Sequence, residues 1–545
     1  MSVMTKHKPS LKTFSTAGPI RPDDHYCIPA SSRWDVEEIE RWIREKRYFA
    51  LHAPRQTGKT SCLLALMEKL NAEKDYTALY VNVEPAQSAR GDVQAGMHTI
   101  VGSIADSARL YLKDQRLQGW IEEVLRAASP HGALLKLLSR WSEENDRPIV
   151  LFLDEVDALI GDTLVSFLRQ IRSGYAQRPA TFPQTIMLCG VQDVRDYRIH
   201  TGDDQIILGG SAFNIKSESL RLGNFSRENV FALYAQHTEE TGQAFEDGVV
   251  AYVFAQSNGQ PWLVNALGYQ ACFRIKENRD RSRPITLPDM MMAREQLIEQ
   301  RDTHLDELIH QLREPRVHAV ISELLTGEPS GVFPNDDDQR YTEDLGLIRT
   351  RPHIEIANPI YREIIPRALT WTIQSRIPQE TVWYVEKDGS LNLPKLLNAF
   401  QQFFRENSEI RQDRLDYKEA APQLLMQSFL QRIINGGGRI DREYGLGRRR
   451  TDLLIQWPIN DGPPDKTRRF LGAIQRIVIE LKIRRGSLET TRREGLEQTA
   501  DYMDRIGAKE GYLVIFDRRP GSSWEEKVFV EWEPYKNYRI GVWGM

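Results

Sequence analysis

One segment near residue 55 has the composition and the surroundings of a phosphate-binding loop. The string APRQTGKT, Ala53–Thr60, lies between the apolar run YFALHA and the helical stretch SCLLALMEKL. A loop that enters a helix points its backbone N–H groups inward, where the helix dipole favours an anion. Lys59 would reach the β and γ phosphates of a nucleotide, and Thr60 would hold Mg²⁺. The predicted nucleotide contacts are Ala53, Pro54, Arg55, Gln56, Thr57, Gly58, Lys59, Thr60 and Ser61. The alternative is a helix N-terminus that reads GKT by chance.

Polar residues follow two further apolar runs. PIVLFL ends in Asp154 and Glu155, which places two carboxylates at the C-terminal edge of a buried strand, where open α/β sheets bind ligands. Asp154 would reach Mg²⁺ through water, and Glu155 would orient or activate the attacking water. The run TIMLCGVQDVRD makes Gln192 and Arg195 candidate sensors of the γ phosphate, with a solvated loop as the alternative.

Together with the turn NGQPW, Asn258–Trp262, these motifs resemble AAA-like and STAND-type P-loop ATPases over roughly residues 15 to 370. The resemblance implies ATP as the nucleotide and a winged-helix module at the end of this region. It also implies a regulatory ATPase whose nucleotide state controls assembly, and therefore a homo-oligomer. We assign no arginine finger from the sequence.

A second centre of chemistry lies near the C-terminus. In RIVIELKI, strand alternation turns Glu480 and Lys482 to one face and the isoleucines to the other. Burying both charges without compensation would cost several kcal/mol each, so they lie at a solvated edge or serve a metal site. Asp452 precedes the strand LLIQW, and Gln498 and Tyr502 are four apart on a later helix, hence on one face.

This pattern, with Glu419 in the helix that opens the region, resembles the PD-(D/E)xK nuclease superfamily over roughly residues 415 to 545. The resemblance implies that Asp452 and Glu480 coordinate Mg²⁺ or Mn²⁺ and that Lys482 positions or activates the attacking water. It further implies that Glu419 supports a metal and that Gln498 and Tyr502 support the site or contact substrate. Two features depart from the pattern: Thr451 replaces the proline, and Glu480 follows Asp452 by 28 positions.

Charge near this centre favours a nucleic-acid partner. From Gly436 to Arg485 there are twelve basic and six acidic residues, a difference of +6 (12 − 6), in a chain of formal charge −4. The run Arg448–Arg450, next to Asp452, would meet a phosphate backbone if Asp452 holds a cleaving metal. DNA is the predicted partner, and RNA stays an alternative because a two-carboxylate metal site does not distinguish the sugars. A solvated basic face is the other interpretation.

The elements that would position these residues belong to a multidomain chain. Its 545 residues, 41% hydrophobic and 27% charged, suit several globular domains. The four widely spaced cysteines form no CxxC pair, and no apolar run reaches the roughly 20 residues that span a bilayer. The opening MSVMTKHKPSLKTF has no apolar stretch for a signal peptide. We therefore expect reduced thiols, a cytoplasmic protein and no membrane partner.

The predicted fold class is α/β multidomain: a P-loop NTPase parallel sheet, a helical lid, a winged-helix module and a C-terminal restriction-endonuclease-like α/β domain. The predicted ranges are 1–30 for an N-terminal arm, 31–215 for the ATPase core, 216–300 for the helical lid, 301–375 for the winged-helix-like module, 376–414 for a helical connector and 415–545 for the nuclease-like domain.

The leading hypothesis is an ATP-binding and ATP-hydrolysing regulatory ATPase fused to a Mg²⁺-dependent DNA nuclease, with ATP state gating phosphodiester cleavage. Bacterial defence or mobile-element biology is the suggested setting. The alternative is a nucleotide-switched, oligomerising signalling or scaffold protein whose nuclease fold only binds nucleic acid.

Overall fold

The computed structural model describes residues 11–193, 198–200, 206–208, 215–300, 308–326, 336–374, 383–412, 421–435, 438–445, 450–459, 473–484, 486–519 and 522–545. The chain forms two compact units. Unit 1 is Met1–Ala293 with Asp344–Gly346, and unit 2 is Arg294–Glu343 with Leu347–Met545.

Unit 1 is built around a five-stranded sheet. Its strands are β1 (Tyr48–His52), β2 (Thr77–Asn82), β3 (Ile149–Asp154), β4 (Thr185–Gly190) and, after the small antiparallel pair β5 (Arg198–His200) and β6 (Ile206–Leu208), β7 (Lys216–Arg221). The spatial order is β2-β3-β4-β1-β7, and every neighbouring pair runs parallel. The apolar runs of β2, β3 and β4 are buried because helices cover both faces of the sheet. The parallel sheet predicted for this region is confirmed.

The covering helices are α1 (Val36–Arg44), α2 (Lys59–Glu73), α3 (Val93–Ser107), α4 (Arg116–Ala127), α5 (Pro130–Glu143) and α6 (Gly161–Gly174). One apolar cluster joins the sheet to α3, α5 and α6 and includes Ile100, Leu137 and Phe167. A second cluster joins the other face to α1 and α2 and includes Trp42 and Leu66.

A helical region completes unit 1. Its helices are α7 (Arg227–Thr241), α8 (Val249–Ser257), α9 (Pro261–Tyr269) and α10 (Leu287–Gln300), whose last turns belong to unit 2. The N-terminal arm packs on this region: the Phe14 ring lies 4.9 Å from that of Tyr234, and the Tyr26 hydroxyl lies 3.1 Å from His237 Nδ1. Phe14 and Tyr26 are each 1% exposed, so the arm belongs to the core of this unit.

Between the helical region and the C-terminal sheet lie α11 (Pro315–Thr326), α12 (Asp336–Asp344), the two-stranded antiparallel sheet of β8 (Ile348–Arg349) and β9 (Glu355–Ile356), and α13 (Pro359–Gln374). These helices and short strands occupy the range predicted for the winged-helix-like module, 301–375. The winged-helix assignment itself stays a prediction.

Unit 2 contains a six-stranded mixed sheet. After α14 (Leu393–Gln412) and α15 (Ala421–Asn435) come β10 (Arg439–Gly445), β11 (Arg450–Ile459), β12 (Ala473–Ile483), α16 (Leu488–Ile506), β13 (Glu510–Phe516), the short helix α17 (Trp524–Lys527), β14 (Phe529–Tyr535) and β15 (Tyr538–Gly544). The spatial order is β10-β11-β12-β13-β15-β14. The first three strands are antiparallel, whereas β13 runs parallel to both β12 and β15.

The alternation along β12 sets which helices cover each face. Ile477 and Ile479 pack with α14 and α15, whereas Val478 packs with α16. Glu480 was predicted to lie on the same face of β12 as Val478, which is the face that α16 covers. Among the helices of the described ranges, none is both long and apolar enough to cross a membrane.

Candidate functional site

The loop predicted to bind phosphate connects β1 to α2 in unit 1. Gly58 precedes the first residue of α2 with φ of 91°, a value that L side chains rarely adopt, and Gln56 has φ of 58°. The Thr57 hydroxyl donates to the Pro54 carbonyl at 2.8 Å, which closes the loop on itself. These features leave the loop backbone at the N-terminus of a 15-residue helix, where an anion is favoured.

The side chain of Lys59 is held in place by backbone carbonyl groups of the loop. Its Nζ donates to the Ala53 carbonyl at 2.8 Å and to the Pro54 carbonyl at 3.1 Å, and the residue is 6% exposed. An ammonium group in this position adds a fixed positive charge to the helix N-terminus. The arrangement therefore offers two sources of attraction for phosphate oxygens.

Asp154 lies at the end of β3 and is fully buried. Its Oδ2 accepts hydrogen bonds from the Thr60 hydroxyl at 2.7 Å and from the Tyr80 hydroxyl at 3.0 Å, and its Oδ1 accepts from the Glu155 backbone N–H at 3.0 Å. The structure thus brings together Lys59, Thr60 and Asp154. A hydroxyl and a carboxylate are the oxygen ligands that Mg²⁺ prefers, so this pair fits the metal.

Tyr80 is a member of this site that the sequence reading missed. It lies on β2, which pairs with β3, and its ring makes an edge-to-face contact with Tyr111 at 6.1 Å. A tyrosine inside an apolar strand such as TALYVN is usually a core residue. Only knowledge that this strand lies beside β3 could have indicated that Tyr80 contacts Asp154.

Glu155 differs from the neighbouring Asp154 in its surroundings. It adopts the left-handed conformation, with φ of 59°. Burial, together with the carboxylates of Asp154 and Asp157, raises the pKa of Glu155 to about 7, although Lys59 and Arg55 oppose that shift. A carboxyl that titrates near neutral pH is suited to act as a general base.

The third predicted strand, β4, lies next to both β3 and β1. Gln192 follows the end of β4 by two residues, and β4 runs parallel to β3, so Gln192 lies at the same edge of the sheet as Asp154. Its side chain is half-buried. Arg195 lies outside the described residues.

The four cysteines are free thiols, and burial raises the pKa of Cys189, on β4, well above its ordinary value.

A cavity of about 830 Å³ adjoins the loop within unit 1. The arm, the loop, α2 and the start of α9 line it, with Thr16, Ile20, Gly58, Ser61 and Trp262 among the lining residues. Trp262 Nε1 donates to the Thr16 carbonyl at 2.9 Å, and the Ile20 N–H donates to the Ser61 hydroxyl at 3.1 Å. This volume lies in the range of small-molecule sites and could receive a nucleoside whose phosphates lie on the loop.

The second predicted centre lies on the sheet of unit 2. The register of β11 and β12 places Asp452 opposite Glu480. Glu480 is fully buried, and its Oε1 lies 2.7 Å from Lys482 Nζ, which also donates to the Gln498 side-chain carbonyl on α16. The structure therefore brings together Glu480, Lys482 and Gln498, which lie on two separate elements.

The remaining predicted residues of this centre are placed differently. Tyr502 is 5% exposed and packs in the apolar cluster between α16 and the sheet. Glu419 and the side chain of Asp452 lie outside the described part of the structure. Among the side chains that are described, no three of the His, Cys, Asp and Glu types cluster as metal ligands do.

Comparisons with known proteins add a likeness of fold. No protein-family model matches the sequence, and no curated protein matches it. A Walker-type ATPase of Pyrococcus abyssi is similar in structure, with 14% identity, coverage of 65% of this chain and 99% of that chain, and a TM-score of 0.43.

Cdc6p of Pyrobaculum aerophilum is 17% identical over 62% of this chain and 92% of that chain, with a TM-score of 0.33. Domain III of the Thermotoga maritima replication initiation protein DnaA is 13% identical over 51% and 97%, with a TM-score of 0.32. All three TM-scores are below 0.5, so the assignment of unit 1 rests on its own parallel sheet, loop and helix. That arrangement is consistent with a P-loop NTPase core.

Proposed function

We propose that unit 1 binds ATP with Mg²⁺ and hydrolyses it. One observation carries this proposal: the Thr60 hydroxyl lies on the buried Asp154 carboxylate at 2.7 Å, directly after the loop lysine. The two motifs are 94 residues apart in the chain, so their meeting reflects the fold and not a local pattern.

Each residue has a distinct task in this proposal. The loop backbone and Lys59 bind the β and γ phosphates, and Thr60 and Asp154 hold the metal. Mg²⁺, when bound, would offset the negative charge of those phosphates. Glu155, with its pKa of about 7, takes a proton from the attacking water. Phosphoryl transfer needs positioning and charge stabilisation, which these groups supply.

The Lys59→Ala variant tests nucleotide binding. We expect its ATP affinity to fall by about 100-fold or more, because a charge-assisted contact to phosphate is lost at a partly desolvated site. Lys69→Ala is the matched control, since Lys69 lies on the same helix but pairs at its surface with Glu73 at 3.2 Å. Equal ATP affinity in Lys59→Ala and wild type, measured by calorimetry, would refute the loop assignment.

For unit 2 we propose a metal-dependent nuclease that acts on DNA, with RNA as the alternative substrate. The support is the register of Asp452 and Glu480, the burial of Glu480, and the contact of Lys482 with both Glu480 and Gln498. In this proposal Asp452 and Glu480 hold Mg²⁺ or Mn²⁺, Glu419 assists, and Lys482 positions the attacking water. Tyr502 would support the site from within the apolar cluster.

A cleavage assay separates this proposal from a scaffold that only binds nucleic acid. Linear, circular and single-stranded DNA and RNA are incubated with Mg²⁺, with and without ATP. We expect Glu480→Gln to abolish cutting, because it removes a ligand charge at nearly constant volume. Lys536→Ala, at an exposed pair with Asp501, is the control. Nucleic-acid binding without any cutting by the wild type would favour the scaffold.

We further propose that the ATP state of unit 1 gates cleavage by unit 2 in a homo-oligomer. Two separate chemical centres on one chain motivate this idea. A nuclease without sequence recognition would otherwise endanger its own cell, so nucleotide-controlled assembly is a reasonable safeguard.

A further inference from the structure

Arg33 is a cationic side chain at the nucleotide cavity that the loop motif does not include. It follows the turn Ala30–Ser32, precedes α1 and lines the cavity beside the loop. Its Nη2 donates to the Thr57 carbonyl at 3.1 Å and to the Gly223 carbonyl at 2.7 Å. One guanidinium nitrogen therefore joins the phosphate loop to the segment that leads into α7.

Among the residues that the structure describes, none supplies a carboxylate to balance the charge of this guanidinium. In the part of the chain that the structure describes, no Asp or Glu forms an ion pair with Arg33, whereas Arg41 and Arg47 both pair with glutamates. The guanidinium instead packs over the Phe225 ring at 4.6 Å. Burial lowers the pKa of Arg33, which reflects the cost of a cation held away from water.

The remaining donors of Arg33 lie next to the loop. A Cβ built on Gly58 would come within 3.3 Å of Arg33 Nη1, so this nitrogen closely approaches the loop where glycine leaves room. A guanidinium has five N–H donors, and the hydrogen bonds described for Arg33 all come from Nη2. None of these described hydrogen bonds uses Nη1, so this nitrogen keeps its N–H donors for a ligand beside the loop.

We propose that Arg33 binds the α-phosphate of the nucleotide. This inference rests on the ATP site proposed above. Lys59 and the N-terminus of α2 serve the β and γ phosphates, while the cavity receives the nucleoside. The α-phosphate joins those two parts, and Arg33 lies where the loop meets the cavity. An anion there would supply the counter-charge that the described residues lack.

The test compares adenosine, AMP, ADP and ATP binding to full-length wild type and Arg33→Met by calorimetry. We expect Arg33→Met to weaken AMP, ADP and ATP binding by about 10- to 100-fold each, as for loss of a charge-assisted hydrogen bond. Adenosine affinity should stay within about twofold, because adenosine has no phosphate. Arg44→Met, on the exposed side of α1, is the control and should bind all four ligands as the wild type does.

Three outcomes would overturn the proposal. Weakening of ATP alone would place Arg33 at the γ phosphate, equal weakening of adenosine would make it a structural clamp, and unchanged affinities would remove it from the site. If Arg33→Met lowers the midpoint of unfolding in the absence of nucleotide, Arg33→Lys is used as the test variant instead. Its affinity for ADP should lie between those of the wild type and Arg33→Met. The ATP-site proposal fails separately, if wild type and Lys59→Ala bind ATP equally.

Discussion

Two adjacent carboxyl groups at the end of β3, Asp154 and Glu155, have different surroundings. Asp154 accepts three hydrogen bonds, from Thr60, Tyr80 and the Glu155 backbone, which fix the orientation of its carboxylate. Glu155 is desolvated beside like charges, which raises its pKa to about 7. In the ATPase activity proposed above, Asp154 would hold the metal and Glu155 would accept the proton of the attacking water.

The Glu155→Gln variant should keep ATP binding and lose hydrolysis. The amide cannot accept the proton of water, so we expect phosphate release to fall by about 100-fold or more, within the usual range for a general base. ATP affinity should change by less than about threefold. Glu143→Gln, on the surface of α5, is the control. A hydrolysis rate within a few-fold of wild type would exclude Glu155 as the base.

The pH dependence should report the same group. The value of kcat/KM for ATP should rise with pH through about 7, since only ionised Glu155 can accept a proton. The pKa of Glu155 is higher in the folded protein than its value of 4.5 in the unfolded chain. The contribution of Glu155 to the free energy of unfolding therefore falls as the pH rises from about 4.5 to about 7. Chemical denaturation should show a flatter pH profile for Glu155→Gln than for wild type, and identical profiles would contradict this prediction.

Tyr80 should act by holding Asp154. Tyr80→Phe removes one hydrogen bond to a fully buried carboxylate and should lower the free energy of unfolding by about 1 kcal/mol. Hydrolysis should slow several-fold in single-turnover measurements, because Asp154 loses part of its orientation. Tyr76→Phe is the control at a half-buried tyrosine near the start of β2.

At the scale of elements, both candidate sites depend on where strands end and which helices cover them. Parallel strands align their carboxyl ends, so the end of β3 lies beside those of its neighbours and near the loop after β1. In unit 2, the antiparallel pairing of β11 and β12 places Asp452 opposite Glu480, although a long connection separates the two strands in the chain. The helix α16 then brings Gln498 to Lys482.

The packing of α6 against the segment that precedes β4 can be tested at one glycine. A Cβ on Gly174 would lie 2.4 Å from the buried Phe182 ring, although its φ of −76° suits alanine. Gly174→Ala should therefore lower the free energy of unfolding by about 1 to 3 kcal/mol through overpacking. Gly119→Ala in α4 has no atom within 4 Å and should be neutral or stabilising by up to about 1 kcal/mol.

For the whole molecule, the main prediction concerns coupling between the two units. If ATP state gates cleavage, Lys59→Ala should cut DNA at the rate of nucleotide-free wild type whether or not ATP is added. Glu480→Gln should still hydrolyse ATP, because its substitution lies in unit 2. A wild type whose cutting is the same with and without ATP would show that the two sites act independently.

The sequence alone determined the features that depend on contiguous residues. The predicted phosphate loop is a contiguous string of residues between one strand and the next helix, and the alternation of RIVIELKI follows from the pleat of a single strand. The parallel sheet follows from alternating apolar runs and amphipathic helices. None of these inferences requires knowledge of distant neighbours.

The tertiary structure decided the features that depend on segments far apart in the chain. Tyr80 meets Asp154 only because β2 lies beside β3, and Arg33 meets Gly223 across 190 positions. The sequence predicts only an N-terminal arm over residues 1–30, and the structure shows that Phe14 and Tyr26 of this arm are buried against α7. Side-chain neighbours of this kind are set by packing, because the burial of apolar surface selects a partner by shape wherever it lies in the chain.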